Sequence, residues 1–263
     1  MIEKVLELSI VVPVYNEHEN IEEFLNSIHQ NVSVSFEIII VYDSSEDLTL
    51  PVVERIVNDS DNIILLENNI CPGPSGAIRT GILFSNGAHI LVTMADLCDD
   101  HSQISHMLEL IKSKADIVCP SRYCEGGEQL LNNKIKKWIP QFAGKIIKFF
   151  TNIPTNDPTN SYKMYSKRVF EDINLVSTVS FSVTLEIVAK ASCLGYRVIE
   201  IPTTWKNREN GSSNFKIGRS LFVYLPWFFV ALLNGRFIRF SNQKLRKWFY
   251  NPKNDSTECL NKE

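Results

Sequence analysis

The segment Leu8–Asn20, LSIVVPVYNEHEN, constrains the fold of this chain more than any other. Leu8, Ile10, Val11 and Val12 form a nearly continuous apolar run that stops at Pro13. Val14, Tyr15, Asn16 and Glu17 follow at once, and then Ile21, Phe24, Leu25 and Ile28 recur at helical spacing. A strand that is apolar on both faces has to be covered on both faces. The segment therefore reads as a central strand, a polar loop at its carboxyl end and a covering helix. Open α/β sheets bind ligands at those carboxyl ends, so a loop carrying Asn and Glu there is a candidate site. No G-x-G-x-x-G follows the strand, and this argues against a dinucleotide fingerprint.

The same alternation continues for about 120 residues. Strands are expected at Phe36–Val41, Ile63–Leu66, Ile90–Thr93 and Ile117–Cys119, and helices at Glu46–Val57, Ser75–Asn86 and Ser102–Ser113. This order predicts an α/β fold with a mostly parallel central sheet and helices on both faces. After Arg122 the rhythm changes. A polar loop (Tyr123–Asn133) leads to a basic amphipathic helix (Lys134–Phe150), a short strand (Tyr162–Tyr165), a helix (Ser180–Leu194) and a strand (Arg197–Pro202). Arg208–Asn214 is a Gly/Ser/Asn-rich loop, and Ser220–Phe240 is strongly apolar. We expect one α/β domain over 1–217, an apolar and basic helical segment over 218–250 and a polar tail over 251–263.

Several acidic and basic residues fall where the sheet's carboxyl edge should be. Asp43 and Asp47 follow the second strand, where a carboxylate can accept hydrogen bonds from a ribose or a base. Asp47 also suits a cap for the next helix. Gly73, Gly76 and Gly81 surround a helix start, where backbone can approach an anionic ligand closely. In L-V-T-M-A-D-L-C-D-D, Asp96, Asp99 and Asp100 follow a strand end. These are hard oxygen ligands of the kind Mg2+ or Mn2+ takes and shares with substrate phosphates, although Asp99 and Asp100 also suit a helix cap. In Ser121-Arg122-Tyr123, the Arg122 guanidinium can grip a phosphate through paired hydrogen bonds.

Taken in order over about residues 8–216, these segments resemble the family 2 glycosyltransferases, and most of all their dolichol-phosphate mannose synthase branch. The resemblance implies a GT-A-like fold in which the loop carrying Pro13, Tyr15 and Glu17 lines the nucleotide of a nucleotide-sugar donor. Asp43, Gly76 and the basic Arg79 match further donor positions. Asp96 takes the second position of the family's D-x-D metal motif, with Asp99 as a further ligand. Asn156–Lys163, N-D-P-T-N-S-Y-K, resembles D-x-T-S-G-F-R and places Asp157 near the acceptor, with Lys163 where the family has Arg. Glu186 matches an acidic helix position. W-K-N-R-E-N-G-S-S-N-F-K resembles a lid over the donor phosphates, built on Arg208, Gly211 and Ser213. Two departures stand out: Tyr42 and Met94 each occupy a position where the family has Asp. The catalytic set implied is Asp96, Arg122, Asp157 and Glu186. The implied reaction moves a sugar, with inversion, from a GDP- or UDP-sugar to a polyprenyl phosphate, with Mg2+ or Mn2+. The alternatives are transfer to a sugar hydroxyl in surface polysaccharide assembly, and a catalytically weakened binding subunit.

Charge separates the two halves of the chain. Residues 1–130 carry 6 Lys/Arg against 21 Asp/Glu, and residues 131–263 carry 21 against 9. A basic second half calls for an anionic surface, and without a nucleic-acid-binding fold that surface is expected to be a membrane. In the 134–150 helix, Ile135, Trp138, Ile139, Phe142, Ile146 and Phe149 share helical spacing, flanked by five lysines. Ser220–Gly235 is uncharged but short for a span, and Pro226 interrupts it; it suits an interfacial helix, an oligomer contact or a membrane-protein partner. The six cysteines form no C-x-x-C pair, and the charged Met1–Glu7 runs straight into the first strand. Together these readings lead us to expect reduced thiols and a peripheral position at the cytosolic membrane face.

Overall fold

The computed structural model describes residues 6–57, 60–130, 141, 144–206, 217–233 and 242–249. All six residues of β1 (Leu8–Pro13) are buried, as the two-sided apolar run requires. Helix α1 (Ile21–Asn31) covers it through Ile21, Phe24, Leu25 and Ile28. Then come β2 (Phe36–Tyr42), α2 (Leu50–Val57), β3 (Ile63–Glu67), α3 (Pro74–Phe84), β4 (His89–Val92), α4 (Ile104–Ser113) and β5 (Ile117–Ser121). Beyond Arg122 lie β6 (Glu128–Gln129), helix α5 (residues 144–150), β7 (Lys163–Ser166) and the short α6 (Val169–Asp172). They are followed by α7 (Ser182–Leu194), β8 (Val198–Pro202), β9 (Thr204–Trp205), α8 (Ile217–Leu232) and α9 (Asn242–Phe249).

The main sheet has the order β3-β2-β1-β4-β7-β5-β8, and β6 pairs with β9 in a separate ribbon. Every pairing is parallel except those of β7, which runs antiparallel between β4 and β5. Side chains alternate across the sheet. Leu8, Ile10 and Val12 pack into the layer that holds α1 and α4, while Val11 joins Ile78 and Ile82 of α3 and the buried face of α7 on the other side. Helices α8 and α9 pack on α7 and supply Ala231, Leu245 and Phe249 to that second layer. Helix α2 begins four residues later than expected. The Asp47 carboxylate accepts a hydrogen bond from the Thr49 N–H at 2.8 Å, which makes a turn of residues 47–49.

A buried histidine ties the first layer together. His101 Nδ1 lies 2.9 Å from Ser27 Oγ and its Nε2 3.5 Å from Thr93 Oγ1, between the rings of Phe24 and Tyr162. Burial pushes its pKa down to about 4, against the opposing pull of Asp100 and Asp96. The fold therefore favours the neutral ring. Stability that is present above pH 6.5 should be lost as pH falls through 4, by about 2–3 kcal/mol. Urea denaturation at pH 6.5, 5.5 and 4.5 should show a steeper fall for the native chain than for His101→Gln. Equal slopes would exclude this ring as the cause.

Candidate active site

In the sheet, β1 sits between β2 and β4, so the chain's direction of travel across the sheet reverses there. The crevice at such a switch point is where open α/β sheets take ligands. Here it is bounded by the loops after β1, β2, β4 and β5. Because β7 is antiparallel, the 154–162 segment that enters it reaches the same edge.

The loop after β1 is fastened from below. Asn16 takes a left-handed backbone conformation (φ 54°), and its N–H points at both Asp47 oxygens, at 3.0 and 3.2 Å. Asn16 Oδ1 accepts from the Leu48 N–H at 3.0 Å, and Thr49 Oγ1 accepts from the Glu17 N–H at 2.9 Å. Asp47 thus does more than cap the next turn: it ties two site loops together. Pro13 and Glu17 are buried in this arrangement, with Glu17 Oε2 accepting from Asn20 Nδ2, while Tyr15 stands 64% exposed at the rim. Asp43 accepts from the Gly73 N–H at 2.7 Å and from Asn68 Nδ2 at 2.6 Å, which orders the loop before α3. Gly76 owes its identity to packing, because a Cβ there would lie 1.8 Å from the Cys71 carbonyl oxygen. Arg79 Nη1 donates to the Ser177 carbonyl at 3.1 Å, so the basic group expected at the donor instead holds the 177 loop.

The acidic loop after β4 divides by role. Asp100 caps the turn at residues 101–103, accepting from the Ser102 N–H and Oγ. Asp99 turns inward and accepts from Thr93 Oγ1 at 3.0 Å. Burial, and after it the charge of Asp96, push the Asp99 carboxyl up to about 7, while Thr93, Met94 and Arg122 pull it down. The charge of Asp96 thus works against that of Asp99, a repulsion that a divalent cation would relieve. Among the described residues no group of three His, Cys, Asp or Glu is placed to hold a metal. Mg2+ commonly takes only one or two protein carboxylates and completes its shell with water and substrate phosphates, so the pair Asp96 and Asp99 fits such an ion.

Arg122 and Asp157 form the strongest polar contact of the edge. Arg122 Nε donates to Oδ2 at 2.6 Å and Nη2 to Oδ1 at 2.8 Å, and the Arg122 N–H also reaches Oδ2 at 3.2 Å. The side chains are 15% and 0% exposed. Burial works against the guanidinium charge, but the charge and hydrogen bonds of Asp157 override it and raise the Arg122 pKa above its ordinary value. The two-pronged fork expected to face a phosphate is therefore closed on Asp157 through Nε and Nη2. Lys163 is fully buried beneath, donating to the carbonyls of Pro158 and Asn160, and burial lowers its pKa. It anchors the 157–160 turn from within the core. Glu186 lies elsewhere. Buried in α7, it accepts from the Val176 and Ser177 N–H groups ahead of the helix at 2.9 and 2.8 Å and pairs with Lys190 of the same helix at 2.6 Å.

The structure thus brings Asp96, Asp99, Arg122 and Asp157 together over Lys163, and assigns Arg79 and Glu186 to the 176–177 wall. Arg208 and Ser213, expected to form the lid, lie outside the described residues, as do Lys134, Lys136 and Lys137. Two side chains were not foreseen. Burial pushes the phenol of Tyr224 in α8 up to about 12, while Ser180 and the Arg122 charge pull it back, so α8 borders the cleft. Glu200 of β8 accepts hydrogen bonds from Thr155 and Asn156, just ahead of Asp157. Its signal was an acid inside the otherwise apolar V-I-E-I-P.

Residues 9–174 match the model of glycosyl transferase family 2. The chain is 28% identical over 230 residues to a dolichol-phosphate mannosyltransferase of Pyrococcus furiosus, a match that covers 84% of this chain and 62% of that protein. The chain therefore spans less than two thirds of that relative's length. It is 25% identical over 233 residues to a polyprenol monophosphomannose synthase of Mycolicibacterium smegmatis, covering 83% of this chain and 85% of that one. Among solved structures, the Mycobacterium tuberculosis glucosyl-3-phosphoglycerate synthase with Mg2+ and UDP superposes with a TM-score of 0.63 at 14% identity, over 90% of this chain and 81% of that one. S. aureus TarS 1-349 with UDP-GlcNAc gives 0.62 at 18% identity, over 95% and 74%.

Proposed function

The chain belongs to glycosyl transferase family 2, and from that premise we propose that it moves a mannosyl group from a nucleotide-sugar to a polyprenyl phosphate. Relatives that are dolichol-phosphate, polyprenol and undecaprenyl-phosphate mannosyltransferases support the sugar and the acceptor class. One observation carries the choice of acceptor. A sugar hydroxyl needs a base, and the two carboxylates of the expected catalytic set that are not assigned to the metal are both engaged: Asp157 on Arg122, and Glu186 on Lys190 and two backbone N–H groups. A lipid phosphate is already an anionic nucleophile and needs none. Asp96 and Asp99 would hold Mg2+ or Mn2+, which supplies charge neutralisation for the departing diphosphate. Arg122, fixed by Asp157, addresses a phosphate oxygen, so its share of the reaction is positioning and electrostatics. The loop carrying Tyr15, tied to Asp47, and the Asp43-ordered loop before α3 border the space assigned to the nucleotide. Displacement by the phosphate from the face opposite the leaving group inverts the anomeric carbon.

The acceptor reading places the protein at a membrane surface. Helix α5 turns Gly144 and Ile147 inward and leaves Ile146, Phe149 and Phe150 exposed beside Lys145 and Lys148. Helix α8 exposes Phe222, Leu225 and Phe229, at i, i+3 and i+7. No helix among the described residues is long and apolar enough to cross a membrane. Apolar side chains flanked by lysines suit a helix lying in the interface, on our reading at the cytosolic face.

The test is transfer from a panel of GDP- and UDP-sugars with Mn2+, to a short-chain polyprenyl phosphate and to free sugars, alongside co-sedimentation with anionic vesicles. We expect transfer of mannose to the lipid phosphate alone. Phe149→Ser with Phe150→Ser should weaken vesicle binding about tenfold. Transfer to a sugar hydroxyl would select the polysaccharide reading. Donor binding without any transfer would select the weakened subunit, which Tyr42 and Met94 favour.

A further inference from the structure

Glu200 projects from β8 with its side chain 12% exposed, and its carboxylate takes up hydrogen bonds from residues 155 and 156. Oε1 accepts from Thr155 Oγ1 at 2.9 Å and from the Asn156 N–H at 2.5 Å, and Oε2 accepts from Asn156 Nδ2 at 2.8 Å. Thr155 Oγ1 in turn accepts from the Asp157 N–H at 3.0 Å. One carboxylate therefore fixes both residues ahead of Asp157 and, through the buried Thr155 hydroxyl, the Asp157 backbone itself. Asp157 then grips Arg122. A strand position next to a core is an expensive place for an acid, and an apolar residue there would leave the Asn156 donors unmet.

Helix α5 leans on the same point. A Cβ on Gly144 would sit 2.0 Å from the Asn156 carbonyl oxygen, so the helix backbone lies directly against that residue. One turn later Lys148 Nζ approaches Glu200 Oε2 at 3.6 Å. The outward side of this helix carries the exposed Ile146, Phe149 and Phe150.

We propose that Glu200 is a positioning residue for Arg122, acting through Asn156, Thr155 and Asp157, with α5 seated on the same relay. The proposal rests on the reading of Arg122 as the group that addresses phosphate. A relay of hydrogen bonds that fixes a guanidinium should act on turnover more than on donor affinity, because a displaced group costs rate in proportion to how far the reacting geometry slips.

The experiment measures kcat and donor KM with GDP-mannose, Mn2+ and a short-chain polyprenyl phosphate. Glu200→Ala should lower kcat by about 10- to 100-fold and change donor KM less than about twofold. Glu200→Gln should stay within about threefold of the native kcat. Its carbonyl keeps the Thr155 and Asn156 N–H bonds, and its amide donates to Asn156 Oδ1 once that group turns over. In an Arg122→Ala background, Glu200→Ala should add less than about twofold, since the relay then ends on nothing. Equal losses in both backgrounds would overturn the proposal, as would native kcat in Glu200→Ala. Native kcat in Arg122→Ala would instead overturn the role given to Arg122. If Glu200→Ala fails to fold, Gly144→Ala, which retains Glu200 and forces α5 off Asn156, should give the same kcat loss and the same non-additivity; native kcat there would overturn the proposal.

Discussion

Asp96→Asn is expected to lower sugar transfer by about 10³-fold or more while leaving the chain at least as stable as before. Both halves of this expectation come from one geometry. Asp96 lies on the loop after β4 with Asp99, and its charge is the second cause, after burial, of the raised Asp99 pKa. Removing that charge lets Asp99 ionise nearer the ordinary carboxylate range. The like-charge cost near neutral pH then disappears, and the thermal midpoint measured without metal should hold or rise. A cation site built from two carboxylates loses half of its protein ligands, and the departing diphosphate loses its counter-charge. Activity over a Mn2+ series and a melting curve in chelator test the two halves separately. Transfer at a near-native rate would remove Asp96 from the site, and a lowered midpoint would mean that its role is structural.

Asp157→Ala is expected to cost about 3–5 kcal/mol of stability, since it leaves the Arg122 charge buried without a partner. Three hydrogen bonds go with it: two from the guanidinium and one from the Arg122 backbone N–H. Replacing both partners by apolar residues of similar size, Arg122→Met with Asp157→Leu, should recover most of that stability, because no charge is then left unpaired. Transfer should be lost in the single and the double variant alike. Urea denaturation gives the first comparison and turnover the second. A double variant as unstable as Asp157→Ala would show that packing, not charge, holds this part of the edge.

Much of the frame was legible because it follows from periodicity. The run Leu8–Val12 fixed a two-sided strand, and the alternation that followed placed β2 to β5 and their helices to within a few residues. The direction of β7 was not legible. Four residues, K-M-Y-S, read equally well as parallel or antiparallel, and only the sheet order decides. The site was half legible. Asp96, Asp99 and Arg122 stand at strand ends, where position alone suggests chemistry. Lys163 and Glu186 looked the same in sequence, yet their charges are spent on carbonyls, backbone N–H groups and Lys190. A charge that binds a ligand and a charge that pins a loop share one letter; the partner across space distinguishes them. Asp47 and Glu200 show the converse, since each acts on a loop distant in sequence, 31 and 44 residues away.

The antiparallel β7 also bears on how the chain reaches this state. Strands β4 and β5 do not pair with each other; the four residues of β7 fill the space between them. During synthesis the first five strands are all made before residue 163, so β4 and β5 each wait with an unpaired edge until the chain has grown past Ser166. Exposed edges of this kind are templates for pairing with the wrong chain. Closing the gap is a late, long-range event, and the Arg122–Asp157 clamp cannot form stably before it. Nascent chains stopped short of β7 should accordingly be the aggregation-prone species on the ribosome. The edge that carries the candidate site is completed in the same step that bridges β4 and β5.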